Sequence, residues 1–188
     1  IATFSFFPGK NLGAYGDAGA IITNNDAYAD FCRKYSNHGS LVKHEHVIEG
    51  INSRLDGLQA SILSVKLKYI KEWTERRISN AKYYNRLLDK NSNISTPKVY
   101  KQAKHVYHLY VIKCNKRDQL KKYLDSKGIS TAIHYPNPLP FLKAYDYLDL
   151  SENDFPISAI QQQKILSLPM FPELKNDQID YICSQIFN

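Results

Sequence analysis

The chain has 188 residues, 43% of them apolar, which is long and apolar enough to bury a substantial core and to be globular. Its formal charge of +7 favours anionic small ligands, yet Lys and Arg never exceed two in a row and no glycine-aromatic RNA-binding motif accompanies them, so nucleic acid is not expected as a partner. No stretch approaches a membrane span and no basic segment precedes an apolar one, so neither membrane insertion nor export is expected, and the widely spaced Cys32, Cys114 and Cys183 read as reduced thiols of a cytoplasmic protein.

The opening Ile1-Ala2-Thr3-Phe4 is an apolar run without an initiator residue, so the chain reads as a fragment. Residues 1–7 predict an aromatic strand broken by Pro8-Gly9, and residues 18–23 a second, buried one, which leaves Lys10 in the loop between them. Residues 25–37 predict a helix capped by Asn24 or Asn25 and stopped near Gly39; residues 38–51 follow as a surface loop. Ser53 and Asp56 resemble a capping arrangement, and the apolar positions from Leu55 to Trp73, continued by Ala81, Tyr84, Leu87 and Leu88, predict one long helix or a pair.

The polar stretch 91–96 reads as a hinge, giving a domain of residues 1–90 and a second of residues 91–188. The second is expected to hold a strand over 105–114, a helix over 117–127 ended by Gly128, and a strand over 129–135, in β-α-β order. Pro136, Pro138 and Pro140 impose an irregular segment, and helices near 156–166 and 177–187 finish the chain.

Lys10 stands out because one amine is framed by Gly9, Gly13, Gly16 and Gly19, the Ser5 hydroxyl and aromatic residues. Glycines admit a planar ligand close to the backbone, and a hydroxyl five residues upstream can reach a phosphate. The segment Ser5-Phe6-Phe7-Pro8-Gly9-Lys10-Asn11-Leu12-Gly13-Ala14 with Gly16-Asp17-Ala18-Gly19-Ala20 resembles the cofactor-lysine motif of the DegT/DnrJ/EryC1/StrS family of nucleotide-sugar aminotransferases. Four further segments resemble that family in the same order: Gly50-Ile51-Asn52-Ser53-Arg54-Leu55-Asp56-Gly57-Leu58-Gln59-Ala60, Val106-Tyr107-His108-Leu109-Tyr110-Val111-Ile112, Gly128-Ile129-Ser130-Thr131-Ala132-Ile133-His134-Tyr135-Pro136 and Leu166-Ser167-Leu168-Pro169-Met170. Five motifs in register span nearly the whole chain, which one chance match would not do.

The resemblance implies an α/β fold, part of a fold-type-I pyridoxal-phosphate (PLP) transferase: the end of a large, mainly parallel sheet domain followed by a smaller C-terminal α/β domain. It implies a homodimer with shared active sites, in which Lys10 holds PLP as a Schiff base, Ser5 binds its phosphate and Asn52 reaches that phosphate from the other subunit. Arg54 would approach the phosphate or the substrate diphosphate. Ordinary lysines, with pKa near about 10.4, are almost wholly protonated at neutral pH, so Schiff-base chemistry calls for a site that frees the amine. The freed lysine can then carry a proton while the cofactor ring acts as electron sink, which arginine cannot do.

Lysine rather than histidine at position 10 argues for transamination over the dehydratase branch of the family, and the motif is similar to members that aminate dTDP-linked 3-keto-6-deoxyhexoses with glutamate as donor. By the same resemblance His134 and Tyr135 lie near the substrate, whereas sequence alone reads them as a strand-end histidine and a core tyrosine. Tyr15 lines the sugar pocket or packs its own loop. Where many members carry a histidine after this segment, the chain has Pro140. His44 and His46 lack a third ligand in view, so no metal is expected, and His105 and His108 would point to opposite faces of their strand. A non-catalytic protein or sensor keeping the same fold is the competing reading.

Overall fold

In a computed structural model that describes residues 1–187, the alternating start of the chain forms strand β1 (Ala2–Ser5), antiparallel to β2 (Gly19–Ile22). Two units are distinguished, Ile1–Glu72 and Trp73–Asn188. In the first, Ser5 pairs with Gly19, so residues 6–18 form the connection that carries Lys10. Helix α1 (Asp26–Tyr35) begins where Asn25 accepts a hydrogen bond from the Tyr28 N–H at 3.0 Å, which settles the cap on Asn25. Asp26 in its first turn and Arg33 and Lys34 in its last complement the helix dipole.

The segment after α1, expected as a loop, instead contains a bulged hairpin of β3 (Ser40–Val42) and β4 (Glu45–His46). Its turn places His44 at φ 70°, a conformation usually signalled by glycine or asparagine, and so the sequence gives no hairpin cue. Gly39 enters the hairpin at φ 79°, and a Cβ there would lie 1.7 Å from the Ile48 carbonyl oxygen. The hairpin's exit returns to α1 through a bridge between Asn37 and Asn52.

The long apolar rhythm resolves into two helices, α2 (Gly57–Leu67) and α3 (Ile70–Leu88), separated by the tightened turn in which the Tyr69 N–H donates to the Lys66 carbonyl at 3.0 Å. The Ser53–Asp56 capping arrangement does not form. Asp56 is the cap residue of α2 but makes no side-chain cap bond, and the Ser53 N–H donates to the Ser36 carbonyl at 2.9 Å.

In the second unit, β5 (Tyr110–Lys113) is followed by α4 (Arg117–Ser126), α5 (Pro156–Gln161), β6 (Ile165–Leu168) and α6 (Asn176–Phe187). Strand β5 pairs antiparallel with β6, Tyr110 opposite Leu168. This corrects two expectations. Residues 129–135 form no regular strand, only a bridge in which Ala132 and Ser167 exchange backbone bonds of 3.2 and 2.7 Å, and the helix expected over 156–166 stops at Gln161 so that 165–168 can pair with β5. The expected strand 105–114 shortens to β5, and the proline segment forms 3₁₀ turns over Leu139–Phe141 and Lys143–Leu148. Ser95, within the stretch expected as a hinge, is fastened to Lys113 by two backbone bonds of 2.9 and 3.0 Å.

The architecture is mixed α/β, with antiparallel pairing in each of these three strand pairs. Tyr84, Leu88, Tyr110, Ile112, Leu124, Leu166 and Ile179 are fully buried, drawing α3, β5, α4, β6 and α6 around one core, and each side chain contributes about 1.5–3 kcal/mol by leaving water. The Tyr84 and Tyr110 rings stack at 4.7 Å, and their hydroxyls donate to the Pro169 carbonyl at 3.1 Å and Asn85 Oδ1 at 2.6 Å. Buried Arg77 donates to the carbonyls of Tyr107 (3.1 Å) and Met170 (2.8 Å).

The first unit is built differently. Among its hydrophobic side chains Ala14 and Leu63 are buried, while Phe4, Phe7, Ile21, Ile22 and Phe31 are 50–55% exposed. A cavity of about 810 Å³ opens between the β1–β2 pair and α1, lined by Phe4, Ile21, Phe31 and Arg54 among others.

Candidate active site

The loop that holds Lys10 is closed by its own backbone. The Phe6 N–H donates to the Ala18 carbonyl, the Ala14 N–H to the Phe6 carbonyl and the Lys10 N–H to the Phe7 carbonyl, each at 2.8 Å. The loop is this tight only because residue 13 is glycine: a Cβ there would stand 2.2 Å from the Pro8 carbonyl oxygen. Lys10 itself is half-buried, and its ammonium makes no hydrogen bond or ion pair within the described residues. An amine left unpaired on a braced loop is available to a ligand.

Helix α2 supplies the brace. Gln59 Oε1 accepts the Tyr15 N–H at 2.8 Å, and Lys66 Nζ donates to the Gly13 carbonyl at 2.5 Å while lying 4.8 Å from the centre of the Tyr15 ring. Gln59 lies in a family-like segment but received no role from the sequence, and Lys66 was not singled out; the signal for the pair was their spacing of seven, which puts both on one face of α2. Tyr15 is 75% exposed, with its backbone tied to α2 and one face of its ring under Lys66.

Ser5 ends β1, and its hydroxyl accepts a bond of 3.3 Å from the Phe7 N–H, which leaves the O–H free to donate. Asn52 and Arg54 lie together beside the C-terminal end of α1: Arg54 Nε donates to Asn52 Oδ1 at 3.1 Å and Arg54 Nη1 to Asn37 Oδ1 at 3.3 Å. Asn37 was not foreseen as part of this group. The Asn52 carboxamide N–H2 and the Arg54 guanidinium are donors held side by side, and the Ser5 hydroxyl is a separate donor on the lysine loop; groups of this kind suit a phosphate dianion.

His134 and Tyr135 belong to the second unit. His134 Nδ1 lies 2.8 Å from Ser167 Oγ, and the two rings meet edge-on at 5.5 Å, with Tyr135 68% exposed rather than in the core. Of the other histidines, His46 Nδ1 is bonded to the His38 carbonyl at 2.8 Å, and His105, outside any strand, accepts the Tyr107 N–H at 2.8 Å. Among the described residues no group of three or more His, Cys, Asp or Glu is arranged to hold a metal, no helix is long and apolar enough to cross a membrane, and the three cysteines are free thiols.

A model of the DegT/DnrJ/EryC1/StrS aminotransferase family matches residues 1–187. Over 187 residues the chain is 46% identical to the pleiotropic regulatory protein of Geobacillus stearothermophilus, covering 98% of this chain and 50% of that one. It is 37% identical over 178 residues to the dTDP-3-amino-3,4,6-trideoxy-alpha-D-glucose transaminase of Streptomyces venezuelae, covering 95% and 47%. The crystal structure of S. venezuelae DesV in complex with a ketimine intermediate superposes with a TM-score of 0.95 at 35% identity, over 99% of this chain and 50% of that one. The chain thus spans about half the length of the curated relatives it matches. A likeness that runs through both units, at these identities and with this superposition, makes the chain a member of the DegT/DnrJ/EryC1/StrS aminotransferase family.

Proposed function

We propose that the chain is the lysine-bearing part of a PLP-dependent aminotransferase that moves an amino group from glutamate to a nucleotide-linked keto-sugar, a dTDP-3-keto-6-deoxyhexose being the favoured class. The observation that carries this reading is the unpaired amine of Lys10 on a loop closed by backbone bonds, in a chain of this family. When bound, PLP supplies an electron sink for the carbanion that proton removal leaves. Lys10 would hold the cofactor and, once displaced by the amino donor, carry a proton from the donor Cα. Ser5 Oγ–H and Asn52 would meet the phosphate, with Arg54 held against Asn52 on the phosphate side of the site, while Tyr15, His134 and Tyr135 would border the sugar. The relative from S. venezuelae, a dTDP-amino-sugar transaminase, supports the substrate class.

The reading includes a cytoplasmic homodimer with shared sites, and residues 1–90 as the end of the large cofactor domain, with 91–188 as the small one. Borohydride treatment of the natural full-length protein with PLP should leave a phosphopyridoxyl group on Lys10, located by peptide mapping; an adduct on another lysine, or none, overturns the assignment. A second reading, a ligand sensor that keeps the fold, is favoured by the name of the regulatory relative from G. stearothermophilus. It predicts an adduct on Lys10 but no glutamate-dependent amination of any keto-sugar nucleotide.

A further inference from the structure

Asn37, Arg54 and Asn52 form a chain of hydrogen bonds whose direction is fixed at every link. The Ser40 carbonyl can only accept, so Asn37 presents Nδ2 to it, at 2.9 Å. Asn37 Oδ1 is thereby turned toward Arg54, which can only donate and does so from Nη1 at 3.3 Å. The same guanidinium donates from Nε to Asn52 Oδ1 at 3.1 Å. With its oxygen engaged, the end of the Asn52 carboxamide left for a ligand is Nδ2, with two N–H donors.

The backbone holds the three side chains in place. The His38 N–H donates to the Ile51 carbonyl at 3.0 Å and the Ser53 N–H to the Ser36 carbonyl at 2.9 Å, on either side of the Asn37–Asn52 bridge. The two ends of a carboxamide are nearly equal in shape and opposite in charge. A half-turn of Asn52 about its last torsion would therefore exchange attraction of an anion for repulsion at no steric cost. Nothing in Asn52 itself prevents that turn; Arg54 does.

We propose that Arg54, held in turn by Asn37, is a positioning residue that fixes the direction of the Asn52 carboxamide so that a phosphate meets its N–H2 end. This rests on the reading of Asn52 as a phosphate ligand. It assigns Asn37 a part in the site and gives Arg54 a role that its charge alone would not fill, because one planar guanidinium reaches two acceptors that a lysine ammonium on its flexible stem would not hold in the same fixed geometry.

The test is the affinity of the cofactor-free natural full-length protein for PLP and for pyridoxal, which lacks the phosphate, each titrated by absorbance. Pyridoxal binding serves as the control for an intact fold. Asn52→Ala, Arg54→Leu and Asn37→Leu should each lower the preference for PLP over pyridoxal by about tenfold, the worth of one hydrogen bond to a charged group. Arg54→Lys should lose nearly as much as Arg54→Leu although it keeps the charge. The double variant Asn52→Ala with Arg54→Leu should lose no more than Asn52→Ala alone, because Arg54 acts through Asn52. Additive losses, or a full preference retained by Arg54→Lys, would mean that Arg54 meets the phosphate directly and overturn the proposal. An unchanged preference in Asn52→Ala would instead overturn the reading of Asn52 on which it rests.

Discussion

Gly13 shows how narrowly the lysine loop is drawn. A methyl group at this position would stand 2.2 Å from the Pro8 carbonyl oxygen, a backbone atom that cannot move aside without opening the Ala14–Phe6 bond that closes the loop. Gly13→Ala is therefore expected to destabilise the protein by about 1–3 kcal/mol, the usual range for overpacking, measured by denaturant unfolding. A change below about 0.5 kcal/mol would mean that the loop has room the geometry denies it. At this scale the residues that the sequence proposes for the site, Ser5 and Lys10 in one segment and Asn52 and Arg54 in another, were readable because each pair lies in a contiguous motif. Asn37 was not, since its link to Asn52 crosses a hairpin whose turn carries no glycine cue; Gln59 lay inside a family-like segment with no role read for it, and Lys66 was hidden among the ordinary polar residues of an amphipathic helix.

At the scale of elements, α6 packs Cys183 into the core beside Ile179 and Ile182. Burial first, and the charge of Asp180 second, push its thiol up to about 12 from an ordinary 9.0, and burial also drives the Tyr84 and Tyr110 hydroxyls far above their usual range. Each group is neutral when protonated and its pKa is raised by folding. The stability it contributes is therefore complete below its unfolded value and is lost as pH rises from there toward the folded one. Unfolding midpoints measured from pH 8 upward should hold steady until about pH 9 and then fall. Cys183→Ala should flatten the fall, and a profile identical to that of the unaltered protein would refute the assignment.

Elements also mark where sequence reading failed. Ile165-Leu166-Ser167-Leu168 is too short for its apolar pattern to separate strand from helix, and the choice was made by β5, which lies more than fifty residues earlier. By contrast α1, α4 and α6 were legible because each carries its own helical apolar rhythm, and α1 and α4 their own end signals as well, Asn25 before α1 and Gly128, at φ 72°, just after α4.

For the whole molecule, what matters is the unequal distribution of core. The second unit encloses seven fully buried large side chains drawn from five elements, whereas the first leaves its aromatic strands and the inner face of α1 half uncovered around a cavity. Local opening is easiest where few apolar contacts resist it. Limited trypsin digestion of the 188-residue chain should cut first after Lys10, Arg33, Lys34, Lys43 or Arg54, leaving a species that contains residues 73–187. Early cuts inside α4 or α6 would contradict this ranking. The α/β class was legible from the order of motifs, while the pairing within the second unit was not, because β5 and β6 meet across an irregular segment rich in proline that no local rule measures.

The bridge between Asn37 and Asn52 has one more consequence, which concerns time. Asparagine ages by deamidation, in which the backbone nitrogen of the next residue attacks the carboxamide and an acid eventually results. At position 52 that acid would place lone pairs and a negative charge where the carboxamide N–H2 had been. The nitrogens that would have to attack are those of His38 and Ser53, and both are engaged in the bonds of 3.0 and 2.9 Å that flank the bridge. The same two bonds that hold these segments in register thus also keep the two asparagines from turning, over the life of the protein, into their own opposites.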